Sequence, residues 1–202
     1  MKKQNKNSPK KESFLRKNYG ESFNYIKESK NFIYSVMLIF LFFFLIGFFV
    51  SAPSELEKII LNFIEDLIQK TEGLSQWELI KFIFFNNLQS SFVGMFFGII
   101  LGIFPIVTTL ANGYLLGFVA ERTVGKEGIF ILWRLFPHGI FELPALFISL
   151  GLGLKLGTFI FRKNRLKTLG TYFLKSIKVF FFVVIPLLVI AAIIEATLIF
   201  LF

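Results

Sequence analysis

The chain has 202 residues, 55% of them hydrophobic and 17% charged, with 30 Phe against 5 Tyr and 2 Trp. A soluble domain of this size leaves too much surface to hide so many Phe, so a water-soluble fold is excluded and an integral membrane protein expected. The absence of Cys and the presence of a single His exclude a disulfide framework, thiolate chemistry and a paired-histidine metal site, and no metal or cofactor is expected.

Residues 1–31 are polar and rich in Lys, which predicts a basic tail and an interfacial helix near Phe14 to Tyr34. The rest of the chain, 32–202, is expected to form one transmembrane helical domain. Phe32 to Val50 supplies 19 residues, enough to cross about 30 Å of hydrocarbon at about 1.5 Å per residue, and reads as an uncleaved first span. Between residues 53 and 72 the apolar positions Leu56, Ile59, Ile60, Phe63, Ile64, Leu67 and Ile68 recur at helical spacing, with charges on the other faces. This predicts an amphipathic helix over 54–70 on the membrane surface or the bundle top. Ser54 with Glu57, and Ser75 with Glu78, have the spacing of capping boxes.

From Phe82 to Ala120 there are 39 residues without a charge. One helix of that length would be roughly 58 Å long, too long for a single crossing, so a hairpin is expected. Pro105, after Gly102, divides it into helices of about 77–103 and 106–121. Gly128 to Phe136 reads as a short apolar helix carrying Arg134, crossing or re-entering before breaks at Pro137 and Gly139. Gly139 to Phe161 is the fourth span. Residues 162–178 are basic without an acid, and Val179 to Phe202 is the fifth span, kinked at Pro186. The expected fold is therefore an all-α polytopic membrane protein of about five transmembrane helices with an amphipathic outer helix.

Orientation follows from charge. The tail and the 162–178 segment are basic, whereas the 51–78 segment holds six acids against Lys58 and Lys70. Both basic segments are expected in the cytoplasm, which places the N-terminus inside and the C-terminus outside a cell membrane. The net charge of +9 then needs no nucleic-acid partner.

The helix faces carry the finer pattern. Asn87, Ser91, Gly94, Gly98 and Gly102 form one stripe, and Glu142, Ala145, Ser149, Gly153 and Gly157 another. Gly113 and Gly117 mark the third span, with Asn112 beside them, and Ala191, Ala192 and Glu195 share a face of the fifth. Small residues at this spacing let helix backbones approach. Glu142 and Glu195 fall in the outer half of the bilayer with Asn86 and Asn87, and His138 is one turn before Glu142. Intramembrane carboxylates mark functional sites. Asn86, Asn87 and Gln89 also read as packing residues, and Glu142 as a structural partner of Arg134 or His138.

The order Phe85-Asn86-Asn87, a Gly-rich hairpin, Asn112-Gly113 with Gly117, Pro137-His138-Gly139 with Glu142 and Pro144, then Gly151, Gly153 and Gly157 resembles the stage II sporulation protein M family. The resemblance covers about residues 80–160. It implies a five-span inner-membrane protein without known catalytic activity, which in endospore formers scaffolds two partners that remodel peptidoglycan. A membrane scaffold contacting membrane-protein partners or a second copy is the expected function. A channel or permease subunit, moving an ion or small solute past Glu142 and Glu195, is the alternative. An intramembrane hydrolase using His138 as general base lacks a nucleophile and a metal set.

Overall fold

The computed structural model describes residues 13–128 and 136–201, with the backbone alone for 127 and 136–138. Among them every regular element is helical: α1 Phe14–Glu28, α2 Lys30–Phe49, α3 Ser54–Thr71, α4 Gln76–Phe96, α5 Ile103–Glu127, α6 Phe136–Gly157, α7 Arg165–Val179 and α8 Ile185–Leu201. Five helical stretches are long and apolar enough to cross a membrane: α2, α4, α5, α6 and the continuous α7–α8 rod. The chain is a multi-pass all-α membrane protein. The short helix expected over 128–136, with Arg134, lies outside the described residues.

Helix α6 is the hub. Within its spanning stretch 56% of residues are buried inside the bundle, against 22–33% for the other four. Its faces are divided among its neighbours. Ala145, Ser149, Gly153 and Gly157 are buried along a single stripe. Ser149 Oγ donates to the Ser91 carbonyl of α4 at 2.7 Å, and a Cβ on Gly153 would lie 2.8 Å from the Gly94 carbonyl. A Cβ on Gly98 would overlap the Gly153 backbone, and one on Gly157 would overlap that of Leu101 and Gly102. On another face Leu146 and Leu150 pack on Val36 and Phe40 of α2, while Leu152 and Leu156 join Val179, Val184 and Leu188. Such backbone contact maximises dispersion where lipid gives helices no hydrophobic reason to associate.

A second close pair lies beside the hub. Gly113 and Gly117 of α5 sit on the Phe40 and Phe44 carbonyls of α2, and Gly47 of α2 sits on the Tyr114 carbonyl. Many Phe side chains point away: Phe42, Phe49, Phe85 and Phe181 are all exposed, on surface suited to hydrocarbon.

Four local expectations are corrected. The break between α4 and α5 falls at Leu101 and Gly102, both with positive φ (56° and 71°), and Pro105 lies in the first turn of α5, where its missing N–H is no loss. Pro137 likewise occupies the first turn of α6, while Gly139 and Pro144 lie inside that helix and end nothing. Pro144 only deprives the Ile140 carbonyl of its donor. The irregularity expected at Pro186 appears just before it as a π-helical segment, Phe180–Val184. Finally, α3 starts from Pro53, which has no side-chain acceptor, so Ser54 is the first helical residue and not the cap, and Glu57 pairs instead with Arg122 of α5. The Ser75–Glu78 box does form.

Gly153→Val is expected to lower the thermal midpoint in detergent by an amount equivalent to about 1–3 kcal/mol of overpacking. Gly125→Ala, whose Cβ would meet nothing within 4 Å, should leave it unchanged or slightly raised.

Candidate functional site

Two ionisable centres lie within the bundle, at opposite ends. At the end bearing α3, Glu142 is half-buried near the start of α6. It is within electrostatic reach of Glu195 on α8. Ala191, Ala192 and Ala196 are fully buried and bring α8 close to its neighbours, with Leu79 and Ile83 of α4 packed against Ala192 and Ala196. That packing encloses Glu195, whose Oε2 is buried without a hydrogen-bond partner among the described residues. A buried carboxyl oxygen without a donor is an open position for a water, a donor side chain or a ligand.

The other described members of the expected cluster have their own environments. Asn112 donates to the Thr108 carbonyl of its own helix at 2.8 Å. Asn86 is exposed, and its Nδ2 lies 3.4 Å from the Oδ1 of Asn87, which is half-buried. Gln89 is also exposed. Arg134 and the side chain of His138 lie outside the described residues. Among the described positions singled out, Glu142 and Glu195 are within electrostatic reach of each other.

The second centre was missed by sequence reasoning. Lys155 of α6 is 6% exposed. Its Nζ donates to Ser29 Oγ at 3.0 Å and stands 4.0 Å from the Tyr25 ring centroid and 5.3 Å from that of Tyr172. Ser29, at the α1–α2 junction, passes the bond on to the Tyr25 carbonyl at 2.7 Å. The Tyr25 hydroxyl donates to the Tyr172 carbonyl at 3.4 Å. Two aromatic faces and a hydroxyl therefore solvate an ammonium that no carboxylate touches among the described residues. Burial pushes the Tyr25 phenol above its ordinary range. The signal was available: Lys155 is the one charge between Glu142 and Arg162.

Helices α1 and α7 close over this centre. Lys178 pairs with Glu21 and Lys175 with Glu28 at 3.5 Å. The Lys178 ammonium holds the Glu21 carboxyl below the usual carboxylate value of 4.5. A lowered carboxylate value favours the docked helix above that pH, and the contribution disappears as pH falls through the lowered value. Proteolysis at the α1–α2 junction is accordingly expected to quicken below about pH 4.5 in the native chain, and Glu21→Gln should remove most of that pH step.

With these features in place, the comparison with known families is informative. The profile described as stage II sporulation protein M matches residues 36–198. No curated protein and no solved structure gives a significant match.

Proposed function

Because the chain belongs to the stage II sporulation protein M family, we propose that it works as a non-catalytic membrane scaffold, with its N-terminus in the cytoplasm and its α3 end outside. The observation that carries this reading is α3 itself. The helix makes little contact with the bundle, held through Ile60 and the Glu57–Arg122 pair. Its apolar residues Leu56, Ile59 and Phe63, which share one face, remain exposed. An amphipathic helix anchored at one point and apolar along a free face is a docking element for another membrane protein.

The alternative, a channel or permease subunit, rests on the open oxygen of Glu195. It is the weaker reading, because the glycine stripes that a pathway would need to separate are in backbone contact at Gly98–Gly153 and Gly102–Gly157.

A photo-crosslinking side chain at Ile59 or Phe63 is expected to yield a discrete protein adduct in native membranes. The same group at Phe42, on the lipid-facing side of α2, should capture lipid. Lipid adducts alone at both α3 positions would contradict the scaffold reading.

A further inference from the structure

Beyond the α3 surface, the opposite end of the bundle carries a groove that no part of the scaffold role uses. It has a volume of about 310 Å³ and is lined by Arg162, Asn164, Lys167, Thr168, Thr171 and Tyr172, with no acid among them. Towards the C-terminal end of α7 the cations are paired, Lys175 with Glu28 and Lys178 with Glu21. Arg162 and Lys167 have no acidic partner among the described residues, and both are exposed. Behind Tyr172 the buried Lys155 adds a further positive charge without a carboxylate in contact. The groove therefore combines uncompensated cations with hydroxyl and amide groups, the chemistry that holds a phosphate.

Its surroundings identify the source of that phosphate. Phe161 and Leu166, next to Arg162 and Lys167 in the chain, are 82% and 83% exposed. Large apolar side chains so exposed beside a cationic groove suit acyl chains under a headgroup, whereas a soluble phosphate would leave them in water. The groove lies where the α7–α8 rod of 37 residues, roughly 55 Å long, extends past what a bilayer core accommodates. We propose that this groove is a binding site for the phosphate headgroup of an anionic phospholipid, with Arg162 and Lys167 as its charge contacts and Thr168 and Thr171 as its hydroxyl donors.

The full chain in nanodiscs of phosphatidylcholine containing spin-labelled phosphatidylglycerol tests this directly. The native chain should immobilise labelled phosphatidylglycerol in preference to labelled phosphatidylcholine. Each cation near the surface is worth about fivefold in association, so Arg162→Gln with Lys167→Gln should reduce the preference by roughly 25-fold. Thr168→Val with Thr171→Val, which leaves charge unchanged, should reduce it by a smaller factor. Lys58→Gln with Lys70→Gln, on α3, should leave it intact. An unchanged preference in the Arg162/Lys167 variant, with its helical content and thermal midpoint retained, would overturn the proposal. Displacement of the labelled lipid by glycerol phosphate would also overturn it, by assigning the groove to a soluble phosphate.

Discussion

At Gly98 and Gly153 the backbones of α4 and α6 touch, because neither residue carries a Cβ to hold them apart. In hydrocarbon a Leu gains nothing by leaving lipid for a helix neighbour, so the attraction must come from close contact and from polar groups finding partners. The α4–α6 seam has both: glycine contacts along its length and the Ser149–Ser91 hydrogen bond within it. Once α4 is seated on α6, the remaining faces of α6 are available to α2 and α8, and α5 reaches the bundle largely through its own glycine pair on α2. The positions of Glu142 and Lys155 follow, since both project from α6.

The two ends of α6 then differ in chemistry. At one end the Glu195 carboxyl is enclosed by packed alanines with Leu79 and Ile83, and the amphipathic α3 lies at that same end. At the other an ammonium is solvated by tyrosines under two basic, amphipathic helices. Lys155 is retained at a desolvation cost, offset by the Tyr25 and Tyr172 rings and the Ser29 hydroxyl. On the proposed reading, a partner-facing end and a lipid-headgroup end are joined by a backbone-packed core.

Much of this architecture is legible in the residues. Long uncharged runs define spans because an unpaired charge in hydrocarbon is costly, and the four-residue spacing of Gly94, Gly98 and Gly102 reports a helix face whichever neighbour covers it. What spacing leaves open is which stripe meets which. Glu142 comes within electrostatic reach of Glu195 because α6 and α8 pack together, whereas Asn112, equally polar, satisfies itself one turn back on α5. Prolines misled for a related reason: Pro105 and Pro137 occupy first helical turns, where proline is tolerated, and the chain turns instead at Leu101–Gly102. Lys155 escaped because its partners, Tyr25 and Tyr172, come from α1 and α7, more than 125 residues away in one case, and no local pattern links them.

The central claim is that the small-residue stripes of α4 and α6 close on each other within a single chain. The native sequence has no Cys, so a paired substitution, Ser91→Cys with Ser149→Cys, can be oxidised without interference. Oxidation in membranes holding two differently tagged copies is predicted to give a product at the mass of one chain, with no linkage between tags. A product joining the two tags would place the seam between molecules and contradict the account.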